Sequence, residues 1–292
     1  MNVRRDTKRW SARPPGRGWW FTPIGLALAA VLGAPPIAHT TPAIRAGIVR
    51  EYQVRSRHQG RNRHVWVYTP PSYAAAPDTA LGMILAFDGG EYVTVIPLPH
   101  LLDSLLAAGA IPPLVAVLID DASGASRLDD LANRAWFADF IGNEVVPWVR
   151  GRWHVSRDPR RSLITGSSAG GLAAVHIALR RSDLFGNALS QSGAFWRGNE
   201  AANGPPYEWL ATQVARWPRR AVRLWLEVGS TESRGAMGGE APSILSANRA
   251  LRDTLRAKGY DVTYVEVPNG THAPEAWVAR LPAGIAALMG HR

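Results

Sequence analysis

LITGSSAGG, Leu163 to Gly171, sets two adjacent serines between glycines, and the choice between them decides how the chain is read. A serine presented on a sharp strand-to-helix turn needs glycine two residues before and two residues after it, because side chains there would collide. Centred on Ser168 the frame is Gly166-Ser167-Ser168-Ala169-Gly170, and it fits. Centred on Ser167 the flanking positions are Thr165 and Ala169, and it fails. The context agrees, since RSLITGS reads as a buried strand and AGGLAAVHIALRR as a helix directly after it. Ser168 is the candidate nucleophile. The start of that helix adds partial positive charge beside any developing oxyanion.

Outward from this turn, short apolar runs alternate with helical patterns. LGMILAFDGG, PLVAVLID, GNALSQSG, AVRLWLEVG and DVTYVEVP read as strands. LPHLLDSLLAAG, WFADFIGNEVVPWVR, ILSANRALRDTLRAKG and EAWVARLPAGIAALMG read as helices. Continuous apolar strands separated by helices predict an α/β protein with a mostly parallel central sheet covered on both faces. At its start, IVREYQVRS and RHVWVYTP flank RHQGRN, which predicts an antiparallel hairpin. Ligands in such sheets bind at the carboxyl ends of the strands, so function is sought in the loops that follow them.

The formal charge of +10 invites a nucleic-acid partner, but its distribution argues against one. Residues 1–43 carry Arg4, Arg5, Lys8, Arg9, Arg13 and Arg17 against Asp6 alone, so half of the excess lies there. Beyond residue 43 no basic run with interleaved aromatics occurs, and no nucleic-acid partner is expected. The basic tail leads into WWFTPIGLALAAVLGA, Trp19 to Ala34, and then into small residues, the order of a secretory signal. As a helix these sixteen residues span about 24 Å, short of the ~30 Å hydrocarbon core, so a cleaved signal is favoured over an anchor. The expectation is a signal segment over 1–43, one catalytic domain over 44–292, and an exported, periplasmic or secreted protein. With no cysteine, that domain must be stable without disulfides.

A serine hydroxyl needs a base to take its proton. After an elbow serine the partners follow in the order acid, then histidine. His272, in PNGTHAPEAW between a strand and the last helix, is the candidate base. His291 is penultimate, His64 and His154 precede the serine, and His176 falls within the following helix, so structural roles are expected for these. The acid should follow AVRLWLEV, in GSTESRGAMGGE. Glu232 is the first choice, with Glu240 and Glu227 as alternatives. Asp261 opens the next strand, at the wrong edge of the sheet. An oxyanion hole should combine the backbone N–H of Ala169 with one from the loop after MILAFDGG, where Gly89, Gly90 and Glu91 are the choices.

RHVWVYTPPSY, FDGGEY, RLDDLANRAWFADFIGNEVVPWV, ITGSSAGGLAA, LFGNALSQSGAFW and GTHAPEAW together resemble the esterase D-type α/β-hydrolases. The enterochelin (ferric enterobactin) esterases of the periplasmic, single-domain kind are the nearest branch. The resemblance implies an α/β-hydrolase fold and a serine esterase with Ser168 as nucleophile, His272 as base and Glu232 as acid. It also implies that Arg127 is a binding arginine. Because ferric catecholates are anionic, Arg127 and Arg197 are expected to line a cationic mouth to the site, with Trp196 also a candidate substrate-binding residue. Two departures bear on specificity. Thr271 and Ala273-Pro274 flank the histidine where that branch has a Gly-Gly-His-Asp-like run, and Arg197 stands where relatives often have tryptophan.

Four functions follow from these residues: hydrolysis of a ferric catecholate siderophore lactone, a feruloyl, acetyl or general carboxylesterase, acyl transfer on the same fold, and a catalytically idle binding module. An intact Ser168 frame with His272 in order favours the enzymes. No metal cluster, phosphate loop or dinucleotide fingerprint is present, so no cofactor is expected. The expected partner is a small-molecule ester, with membrane contact only through the N-terminal segment if it is uncleaved.

Overall fold

The computed structural model describes residues 45–75, 79–120, 125–198 and 205–291. The signal segment expected over 1–43 lies outside the described residues. Strands β1 (Ile48–Arg55) and β2 (Asn62–Thr69) form the predicted hairpin, with Ile48 opposite Thr69 and Arg55 opposite Asn62. In chain order there follow β3 (Gly82–Phe87), α1 (Gly89–Thr94), α2 (Leu98–Ala107), β4 (Leu114–Ile119), α3 (Ala125–Asp130), α4 (Ala135–Phe140), α5 (Val146–Arg150), β5 (Ser162–Ser167) and α6 (Ala169–Arg180). The second half adds β6 (Asn187–Gln191), α7 (Trp209–Arg216), β7 (Arg223–Gly229), a small antiparallel pair β8 (Gly235–Ala236) and β9 (Ala241–Ser243), α8 (Ile244–Ala257), β10 (Asp261–Val267), α9 (Pro274–Val278) and α10 (Leu281–Met289).

The main sheet has the order β1-β2-β4-β3-β5-β6-β7-β10. It is antiparallel across β1, β2 and β4, and parallel from β4 through to β10. Every residue of β3, β4 and β5 is buried, as strands packed on both faces require. Successive side chains of β3 serve opposite layers. Met83, Leu85 and Phe87 join Phe137, Leu172 and Leu251 in one core. Ile84 and Ala86 join Tyr92, Leu102 and Ile285 in the other. Fully burying each of the Met, Leu, Ile and Phe side chains among these contributes about 1.5–3 kcal/mol. Helix α6 is buried along its whole length except Arg180, so it is an internal helix, apolar all round apart from His176.

Two predicted helices are broken in the structure. WFADFIGNEVVPWVR is α4 and α5 joined by a π-helical turn over Ile141–Val145. Pro147 has no N–H with which to continue the ordinary ladder there. EAWVARLPAGIAALMG is α9 and α10 rather than one closing helix, with Pro282 in the first turn of α10, where a missing N–H costs nothing. The carboxyl ends of β3, β5, β6, β7 and β10 share one edge of the sheet. The tip of the β1–β2 hairpin lies at that same edge, because β2 runs antiparallel to β4 with Val65 opposite Ile119.

Candidate active site

At the end of β5 the chain turns into α6 with Ser168 at φ 54° and ψ −118°, a conformation that costs a non-glycine residue strain. The turn is tight because the two glycines of the frame touch. A Cβ on Gly166 would lie 2.5 Å from the carbonyl carbon of Gly170. The Ser168 N–H donates to the Gln191 carbonyl at 2.9 Å, and the Ser168 carbonyl accepts from Ala194 at 2.9 Å. Ser167 is the last residue of β5, opposite Gln191 and buried. The sheet therefore keeps one serine inside and presents the other.

His272 lies on the loop between β10 and α9. Its Nε2 is 3.0 Å from Ser168 Oγ and its Nδ1 is 2.6 Å from Glu232 Oε2. Two loops must meet for this, and glycines allow it. A Cβ on Gly229 would sit 2.2 Å from the Gly270 carbonyl oxygen, so neither position has room for a larger residue. Thr231 Oγ1 donates to that same carbonyl at 2.5 Å, and the Asn269 N–H donates to Ser230 Oγ at 2.9 Å.

Of the three acids considered, Glu232 is the one brought to His272. Its other oxygen, Oε1, accepts from Ser192 Oγ at 2.6 Å and from the Gly229 N–H at 2.8 Å. Burial pushes this carboxyl up, but the hydrogen bonds from His272, Ser192 and Gly229 outweigh it and hold Glu232 below its ordinary value. Glu227 is buried within β7, where it accepts from Gln191 Nε2 at 2.8 Å and Trp225 Nε1 at 3.1 Å, and burial pushes its carboxyl up. Glu240 is exposed on the surface.

Gly89 and Gly90 open α1 directly after β3, and Ala169 opens α6, so the N–H groups of all three lack an intrahelical acceptor. Between them lies Asp88 in the left-handed region at φ 58°. Arg127 binds its carboxylate with both arms, Nε to Oδ1 at 2.5 Å and Nη2 to Oδ2 at 2.5 Å. Arg197 is buried, with Nη2 on the Leu128 carbonyl at 3.0 Å. Its guanidinium is pushed below its ordinary value by burial and by Arg127 nearby. Trp196 is half-buried against the core, and its carbonyl accepts from Glu208. Arg134 pairs with Asp129, so the arginines at this end are interleaved with acids.

Sequence reading missed Ser192, Trp277 and Asp88. Ser192 and Asp88 are non-glycine residues at positive φ, immediately after β6 and β3. Trp277 Nε1 donates to Ser192 Oγ at 3.0 Å, and the Trp277 ring stands edge-on to His272 with centroids 5.1 Å apart. A polar residue at the carboxyl end of a strand was the available signal for Ser192. Among the described residues no group of three or more histidines and acids could hold a metal ion. Chemically, this arrangement can draw a proton from Ser168 towards His272 while Glu232 fixes the ring and compensates its charge.

The model of the Esterase family, described as "Putative esterase", matches residues 56–288. The chain belongs to this family. It is 33% identical over 247 residues to the iron(III) enterobactin esterase of Dickeya dadantii, covering 80% of this chain and 53% of that protein. It is 29% identical over 250 residues to the iron(III) enterobactin esterase of Escherichia coli O6:H1, covering 86% of this chain and 58% of the relative. The crystal structure of the enterobactin esterase of Shigella flexneri in the presence of enterobactin superposes with a TM-score of 0.71 at 26% identity, over 82% of this chain and 58% of the other. The fold is that of the α/β-hydrolase esterases. The chain spans somewhat over half the length of these curated relatives.

Proposed function

We propose that the protein is a serine esterase that cleaves carboxylic esters through an acyl-enzyme, and that its substrate is a catecholate siderophore lactone of the enterobactin type. One observation carries the chemistry: the unbroken line from Ser168 Oγ through His272 to Glu232, at 3.0 and 2.6 Å. Ser168 Oγ attacks the ester carbonyl as His272 Nε2 takes its proton. Glu232, held ionised, orients the ring and stabilises the imidazolium. The carbonyl oxygen becomes an oxyanion that accepts from Ala169 N–H and from Gly89 or Gly90 N–H. His272 then returns the proton to the leaving alcohol. Water repeats the sequence on the acyl-serine and frees the acid.

The substrate class is supported by the iron(III) enterobactin esterases among the relatives. Trp196, Arg197 and Arg127 are assigned to the wall that receives the catecholate. The test is a side-by-side assay on ferric enterobactin, iron-free enterobactin, a feruloylated sugar and short p-nitrophenyl esters. The reading expects the highest kcat/KM on an enterobactin form. A preference for the feruloylated sugar contradicts the siderophore assignment, and transfer of the acyl group to an added alcohol in place of hydrolysis contradicts the esterase assignment. Export is proposed on the basic-then-apolar order of residues 1–43. N-terminal sequencing of the mature protein tests it, and an intact Met1 on cytoplasmic protein refutes it.

A further inference from the structure

We propose that Asp88 and Arg127 are a positioning pair for the oxyanion hole, in which Arg127 holds and neutralises a carboxylate lodged between the two segments that donate to the oxyanion. The inference rests on the serine-esterase reading. Asp88 is joined by its peptide bond to Gly89, the first candidate donor of one segment. Its Oδ2 also lies 3.3 Å from where a Cβ on Gly170 would stand, next to Ala169, the donor of the other. One side chain therefore packs against both halves of the hole. It does so from a left-handed backbone conformation at φ 58°, 6% exposed, which the surroundings must enforce.

A buried carboxylate here is costly twice. Unpaired, it would be poorly solvated, and it would oppose negative charge growing on the substrate carbonyl. The two-armed contact from Arg127 removes both problems, since a fork-to-carboxylate pair fixes orientation as well as charge. The helix that delivers Arg127 is itself pinned. Asp130, fully buried at the end of α3, accepts from Arg63 Nη1 at 2.6 Å and from Gln59 Nε2 at 3.0 Å. Arg197 holds the Leu128 carbonyl of the same helix. Hydrogen bonds and a charge pair tie the hairpin tip to Asp130, α3 carries that anchoring to Arg127, and Arg127 passes it to Asp88 through the paired contact. Anchoring alone would also suit a substrate-binding arginine; what marks the positioning role is that Nε and Nη2 are both committed to Asp88.

The two roles differ on a small neutral ester, which offers nothing for a binding arginine to hold. With p-nitrophenyl acetate, Arg127→Gln is expected to lower kcat ten- to hundred-fold with KM within about two-fold, a fraction of the ~10²–10³ lost with a whole donor. Arg127→Lys should recover part of that loss. Asp88→Asn combined with Arg127→Gln should recover at least ten-fold over Arg127→Gln alone, because asparagine tolerates the backbone and brings no charge. Inactivation by a neutral phosphate triester should slow in parallel. Unchanged kcat in Arg127→Gln, with loss confined to KM on anionic catecholates, overturns the proposal, as does a double variant no faster than Arg127→Gln. Should Arg127→Gln fail to fold, the lysine and double variants carry the comparison. Equal hydrolysis by the wild type and Ser168→Ala would instead remove the serine-esterase reading.

Discussion

Ser192 donates its hydroxyl proton to Glu232 Oε1 at 2.6 Å while its oxygen accepts from Trp277 Nε1 at 3.0 Å. The serine is buried and sits at φ 50°, so a strained backbone aims this hydroxyl at the carboxylate behind His272. Ser192→Ala leaves the strain, orphans the indole N–H and removes a donor from Glu232. It should cost about 1–3 kcal/mol of stability in urea unfolding. Ser192→Gly loses the same hydrogen bonds but relieves the backbone, so it should be the more stable variant by about 1 kcal/mol. Both should lose turnover alike. A Ser192→Ala enzyme with wild-type kcat would show that Glu232 needs no help from this side.

Among the acids, Glu232→Gln should lower kcat by about 10²–10⁴-fold with the circular-dichroism spectrum unchanged, since the ring is then neither oriented nor compensated. Glu240→Gln, on an exposed side chain, should stay within about two-fold on this reading. The reverse pattern would move the acid to Glu240.

Glu232 also links activity to acid stability. Its carboxyl titrates below its ordinary value in the folded protein, so its contribution is fully present above the unfolded pKa, near 4.3. That contribution is lost as pH falls through the depressed folded value. Glu232→Gln should therefore flatten the urea midpoint against pH below about 4.3. An unchanged slope there contradicts the assignment.

His176 gives a second pH dependence, from a different cause. Its ring is buried between Trp209 and Trp217, and neither nitrogen has a hydrogen-bond partner. Burial, with Arg180 nearby, pushes its pKa down from 6.5 to about 3. The unfolded chain therefore binds a proton that the folded chain refuses, and stability falls as pH drops from 6.5 towards 3. His176→Leu should remove that slope and raise stability at pH 5, as replacing an unpaired buried polar ring by an apolar side chain does. A steeper acid loss in His176→Leu than in the wild type would contradict it.

Much of this site was legible from residues alone, for identifiable reasons. Gly166 and Gly170 mark Ser168 because the turn admits no side chain at those positions, a local constraint that any reader of the chain can apply. His272 follows from chain order and from its place between a strand and a helix. The acid could be narrowed only to Glu232, Glu240 and Glu227, because the choice depends on Gly229 meeting Gly270, a contact between loops about forty residues apart. Asp88 and Ser192 stand out in the structure by a positive φ at a non-glycine residue, which sequence does not display, and a polar residue at a strand's carboxyl end is too common a signal to single out Ser192. The partner of Arg127 was hidden for the same reason as the acid: α3 and the end of β3 meet only in three dimensions. The helix breaks before Pro147 and at Pro282 were readable in principle, but the apolar periodicity running through both masked them.

The most direct measurement is the mass of the intact protein, followed by peptide mapping, after reaction with a neutral fluorophosphonate. One adduct per chain on the peptide containing Ser168 is expected, with Ser168→Ala unlabelled and inactive on p-nitrophenyl acetate while Ser167→Ala labels and turns over normally. An adduct on Ser167, or hydrolysis persisting undiminished in Ser168→Ala, would contradict it.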